Sequence, residues 1–191
     1  MSRVGFVALA FLLPVSVQAA DFKAPVAEIM AAATSNWQDL GADSDATPPY
    51  TDYFSEDFLK RLYSRDFVAK YRAAAKYPAY DDGGSPFGYD PITGGQDGCA
   101  LKDVTTTEGQ PANGGEEVTV TFDNSSCFGE RAPDWQPEKL VFKLIEEGGR
   151  AVIDDIDRPS FEEGASLKKE LVELAEYGAK EGAGGNTQSP E

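Results

Sequence analysis

The hydrophobic period of this chain changes from helical to alternating across the loop Tyr89-Asp90-Pro91-Ile92-Thr93-Gly94-Gly95-Gln96-Asp97. Before the loop, apolar residues recur every three or four positions, the spacing of one helix face. Past Cys99 they alternate, the spacing of a half-buried strand. Helices gathered in one half and strands in the other leave no room for repeated βαβ crossovers. The predicted fold class is therefore α+β, with N-terminal helices packed on a curved antiparallel sheet of at least four strands and a C-terminal helix closing the domain.

In the first half, Val26, Ile29, Met30, Ala33, Trp37 and Leu40 form one apolar stripe, predicting a helix that accepts Pro25 in its first turn and ends at Gly41. Residues 41–52 are small, polar and Pro-containing, and read as a surface connection. A second helix is expected from a Ser55 cap, with Glu56 and Asp57 set favourably against the helix dipole, to about Lys76 ahead of Pro78. Its inward stripe is Leu59, Leu62, Tyr63, Phe67 and Tyr71. Its outer face carries Lys60, Arg61, Arg65, Lys70 and Arg72, cations expected to pair with the chain's own carboxylates.

Residues 77–98 show neither period, yet they hold Tyr77, Tyr80, Phe87 and Tyr89. Rings in such a loop need a surface to pack on, so a folded lid is expected, and these four residues are the candidate binding surface. Within the loop, Asp90-Pro91 reads as a turn whose Asp side chain caps backbone N–H groups, while Gln96 and Asp97 are expected to tie the loop to a neighbouring strand.

Strands are predicted over 100–107, 116–123, 140–146 and 151–157, the first pair joined across an Asn-Gly-Gly turn and the second across Glu147-Gly148-Gly149-Arg150. Extending the first hairpin outward carries Cys99 towards Cys127, and a bridge between them would contribute roughly 3–4 kcal/mol through loop-closure entropy. Ser166 caps a last helix with Leu167, Leu171, Leu174 and Tyr177 inward, ending at Gly178.

The first nineteen residues place Arg3 ahead of a short, Pro-interrupted apolar run and end on Val17-Gln18-Ala19, the layout of a secretory signal peptide cleaved near Ala19. The expected organisation is a signal peptide over 1–19, one domain over 20–178 and a disordered acidic tail over 179–191. That implies a periplasmic or secreted protein with no membrane span, in a compartment where two cysteines pair. Cleavage removes one cation and no acid, taking the net charge from −16 to −17. Such a chain repels phosphate backbones, so nucleic acid is not an expected partner.

No histidine occurs anywhere in the sequence. Ser-His-Asp and Cys-His nucleophile systems and His-ligated zinc are thereby excluded. Neither a phosphate-binding P-loop nor a dinucleotide-binding glycine motif is present, and no cofactor is implied. Carboxylate acid/base chemistry survives that exclusion, with Asp90, Asp97, Asp154, Asp155 and Asp157 as the candidates. Asp81, Asp82, Asp90 and Asp97 could serve calcium, but they do not follow the EF-hand spacing. No catalytic or metal-ligating residue is assigned.

Several segments carry a resemblance in order: Tyr53-Phe54-Ser55 with Phe58-Leu59, Asp90-Pro91-Ile92-Thr93 with Gln96-Asp97, 118–122, and Val152-Ile153-Asp154-Asp155-Ile156. Together they resemble a family of small bacterial envelope proteins known only as domain of unknown function 3828, related to the cystatin-like, nuclear-transport-factor-2-like superfamily. The resemblance spans roughly residues 50–175. This chain departs from the family pattern in Gly98, in Ala151 and in its two cysteines. The resemblance implies a cone of helices on a curved sheet and an envelope location, and it implies no activity. The leading expectation is a non-enzymatic module binding a protein or small ligand through the sheet's concave face or the aromatic loop, an immunity or inhibitor role being one form of it. The alternatives are a carboxylate acid/base enzyme in the cone interior and a calcium-stabilised structural envelope protein.

Overall fold

The computed structural model describes residues 20–39, 50–81, 84–95, 97–109, 111, 115–160 and 165–184. The expected signal peptide, Leu40, Gly41, Gln96 and residues 185–191 lie outside the described residues. The fold is α+β, as the change of period predicts. Three helices, α1 (Lys23–Asn36), α2 (Glu56–Leu62) and α3 (Arg65–Ala74), precede a meander of β1 (Lys102–Glu108), β2 (Gly115–Asp123), β3 (Glu138–Glu147) and β4 (Arg150–Asp157), and α4 (Leu167–Gly184) follows it. The sheet order is β1-β2-β3-β4, each pair antiparallel.

Alternation sets which face of the sheet is buried. Val118, Val120 and Phe122 of β2 share a face with Leu140, Phe142 and Leu144 of β3 and with Ile153 and Ile156 of β4, all of them buried in one core with the helices. In register, Val118 stands opposite Phe142 and Phe142 opposite Ile156. The helix-side face of the sheet is thus filled by core side chains. β1 is exposed throughout; its Thr and charged residues and an irregularity between Lys102 and Thr105, where Asp103 takes a φ of 52°, make it a poor template for edge pairing.

The expected second helix is two helices. Tyr63 is extended (φ −111°, ψ 153°) and forms a parallel bridge with Ile153, while the Ser64 N–H donates to the Ile153 carbonyl at 2.8 Å. Ser64 Oγ then accepts from Phe67 N at 3.0 Å and donates to Asp154 Oδ1 at 2.7 Å. A free sheet edge and a capping hydroxyl together satisfy the groups that a helix break exposes, so the chain breaks where it docks. Leu59, Leu62, Tyr63, Phe67 and Tyr71 all remain buried, as the stripe requires. Asp154 is the residue of β4 left without an opposite number, since Lys143 pairs with Asp155 and Leu144 with Ile153, and it meets Lys168 Nζ at 2.7 Å.

The expected pairing of the basic face is present for Arg61, Arg65, Lys70 and Arg72. Arg61 meets Glu28 and Asp57, Arg65 meets Glu147, Lys70 meets Asp66, and Arg72 meets Glu56. These mostly exposed pairs each contribute little.

The last helix does not stop at Gly178 and continues to Gly184, so residues 179–184 belong to α4 and not to a disordered tail. Gly178 is needed for close approach: a β-carbon there would lie 2.2 Å from Tyr77 Cγ. Ser166 caps α4 as predicted, its Oγ accepting from Lys169 N, whereas Tyr177 is exposed and not inward. Cys99 and Cys127 are bridged, with Cα atoms 5.6 Å apart.

Because Ser64 serves both as the α3 cap and as the link to Asp154, Ser64→Ala should lower unfolding free energy by about 2 kcal/mol. Urea denaturation monitored by circular dichroism checks this, and an unchanged midpoint would remove the break from the list of stabilising features.

Candidate functional site

A cleft of about 740 Å3 opens between the end of α1, the segment leading into α2, the middle of α3 and the loop before the sheet. Its size suits a small molecule. Eight rings line it: Tyr53, Phe54, Tyr71 and Phe87 are buried, Trp37 and Tyr89 half-buried, and Tyr50 and Tyr80 exposed. The rings are packed on one another: Phe54 stacks on Tyr71 at 4.7 Å between centroids, lies 5.7 Å from Phe87, and meets Tyr53 edge-on. Tyr50 and Tyr80 are 67% and 58% exposed, rings left in water at the mouth.

Asp90 organises this wall. Its Oδ1 accepts from Ile92 N and Thr93 N, both at 2.9 Å, and its Oδ2 accepts from Trp37 Nε1 at 2.8 Å and Tyr53 Oη at 2.9 Å. The turn is closed further by Gly94 N donating to the Asp90 carbonyl and Asp90 N donating to the Gly95 carbonyl. An ionised carboxylate has about four lone-pair sites, and four donors fill them. Asp90 therefore has no lone pair left with which to take a proton from a ligand, and its chemistry is that of a fixed negative charge. Asp52, the other acid lining the cleft, accepts from Phe54 N at 2.8 Å through Oδ1.

Trp37, expected in the core stripe of α1, instead stands at the C-cap of that helix. Its ring lies against Gly98, where a β-carbon would come within 2.8 Å of the indole. Asn36 fixes the incoming segment, donating to the Thr51 carbonyl and accepting from Thr51 N. On the far side, Tyr89 Oη donates to the Glu170 carboxylate at 2.8 Å and accepts from Arg158 Nη1 at 2.6 Å, fastening the loop to α4.

The sequence-predicted residues divide accordingly. Tyr80, Phe87, Tyr89, Asp90 and Pro91 converge on the cleft, but Tyr77 does not line it and packs on Gly178. Asp97 is exposed, and no side-chain bond among the described residues ties it to a strand; that link is made by Asn124, whose Nδ2 donates to the Thr93 carbonyl and whose own carbonyl accepts from Cys99 N. Gln96 is outside the described residues. Asp154 and Asp155 are structural: Asp154 meets Ser64 and Lys168, while Asp155 accepts from Ser166 Oγ and Lys168 N at the start of α4. Among the described residues no three acidic or thiol side chains converge as a metal site, and no helix is long and apolar enough to cross a membrane. A quarter of the lining, Tyr50, Asp52, Tyr53 and Phe54, comes from residues read as a surface connection or a helix start. The signal lay in the density of rings and acids over 50–54. No family model, curated protein or solved structure matches the chain.

The Tyr side chains carry the electrostatic record of the site. Partial burial on its inner side, reinforced by the charges of Asp90 and Asp52, pushes the Tyr50 phenol up to about 12 although most of the ring is exposed. Burial does the same to Tyr71 and Tyr89, each to about 12, and drives Tyr53 and Tyr63 further upward. Folding thus favours the neutral phenols. The stability they contribute is intact below about pH 10, the unfolded value, and is lost as pH rises towards 12. An absorbance titration at alkaline pH should show Tyr50, Tyr71 and Tyr89 ionising late, together with falling stability; ionisation of every tyrosine near 10 in the folded chain contradicts the packing.

Asp90→Asn replaces one pair of acceptor sites by donors facing donors. It should cost about 3 kcal/mol and raise the exposure of Trp37. Chemical denaturation with tryptophan fluorescence reads both, and wild-type stability would show that the four bonds do not hold the wall.

Proposed function

We propose that this chain is an exported, non-enzymatic binding protein that takes a small ligand in the aromatic cleft. The observation that carries the reading is a large cleft walled by prearranged rings in which the Asp90 carboxylate has every acceptor site filled. Packed rings supply large contact area at low entropic cost, and they are already held in position by bonds that do not involve a ligand. A base for proton transfer would need a free lone pair held away from water; Asp90 has its acceptor sites filled, and Asp52, which has sites open, is exposed. The signal-peptide layout, the bridged cysteines and the resemblance to envelope proteins with a cystatin-like cone support a periplasmic or secreted site of action. A protein partner at the same mouth, of the immunity or inhibitor kind, would meet Tyr50 and Tyr80 first.

Thermal-shift screening of the mature chain against a small-molecule library tests the proposal. At least one compound should raise Tm for the wild type, since a ligand at about 100 times its Kd stabilises by about 2.7 kcal/mol. The same compound should fail with Tyr50→Ala combined with Tyr80→Ala. No shift with any compound, or a shift that survives the double substitution, contradicts the cleft as the site.

A further inference from the structure

We infer that the ligand of the aromatic cleft is a small organic ammonium ion, an inference that rests on reading this cleft as a ligand site. Its charge is one-sided. Asp52 and Asp90 line it, and no Lys or Arg does among the described residues. An anionic ligand would be desolvated against two carboxylates with no compensating charge, whereas a cation gains from both. The separation is not a property of the whole surface: a second hollow of about 600 Å3 beside α2 and α3 is lined by Lys60, Arg65, Arg72 and Arg150 against two acids, Glu56 and Glu147.

The rings strengthen the preference. Aromatic faces carry negative potential and attract alkylammonium groups, which lose little hydration on entering such a cleft. Trp37 and Tyr53 each donate a hydrogen bond to the Asp90 carboxylate. Donation to an anion polarises the donor and makes its ring more electron-rich. Tyr50 stands edge-on to Tyr53 with 6.2 Å between centroids, at the exposed mouth, where a methylated nitrogen would first be met. The negative potential reaches this ring, because both Asp90 and Asp52 help to raise its phenol.

Isothermal titration at low ionic strength separates the charge preference from mere apolar fit. The probes are choline, the neutral isostere in which carbon replaces the ammonium nitrogen, and the carboxylate of matched size. Choline should bind at least about tenfold tighter than the neutral isostere, as expected for a desolvated cation–π site, and the carboxylate should give no heat. Asp52→Asn keeps an amide oxygen for Phe54 N, so it should fold normally, weaken choline several-fold and leave the neutral isostere unchanged. Equal binding of choline and the neutral isostere overturns the ammonium assignment while the cleft remains a ligand site. Tighter binding of the carboxylate, or of none of the three, overturns it as well, and the library screen then decides the wider reading separately.

Discussion

One carboxylate gathers three separated pieces of chain. Asp90 takes the indole N–H from the end of α1, the phenol of Tyr53 from the approach to α2, and two backbone N–H groups of its own loop. Hydrogen bonds to a charged group contribute about 1.5–3 kcal/mol each, so this site has a larger effect than any exposed ion pair on the helices. Its geometric effect is greater still. Ile92, the residue after the proline, is driven fully into the core by the same turn, and the rings are held as one wall because two of them end on a common anion.

The helical layer is attached to the sheet through β4. All four helices contact this strand. The bulge at Asp154 lets one residue leave the ladder and reach Ser64 and Lys168, while the next residue, Asp155, caps α4. The α2–α3 break, the bulge and the α4 start are therefore one joint. Lys168 also meets Asp66 at 3.0 Å, extending the joint back to α3. The disulfide closes the opposite side, tying the entry to β1 to the segment after β2.

Hydrophobic period and turn residues made the order of elements readable, because helical spacing, one run of alternating spacing and a last helical stretch leave few ways to arrange layers. The strand pairing and the cysteine bridge followed from register. What escaped was long-range satisfaction of polar groups. The inward stripe across Tyr63 and Ser64 is the same for one helix or two, and only the β4 edge distinguishes them. Gly178 has the form of a helix stop, yet its missing side chain makes room for Tyr77. Asp90 was legible as a turn cap, but its second oxygen receives Trp37 and Tyr53 from 53 and 37 residues away, which no local pattern encodes. Among the described residues the tie from this loop to the sheet comes from Asn124, on the Thr93 carbonyl, a contact that no local spacing announces.

The most direct measurement of the central claim uses the two tryptophans as internal reporters. Trp37 lies in the cleft with its N–H on Asp90, while Trp135 donates to Ser125 in the loop beyond β2. In a proton–nitrogen NMR titration with choline, the Trp37 indole resonance should move with a saturable dependence and the Trp135 resonance should stay fixed. A stationary Trp37 resonance at saturating choline, or equal movement of both, would contradict an Asp90-centred aromatic site for organic cations.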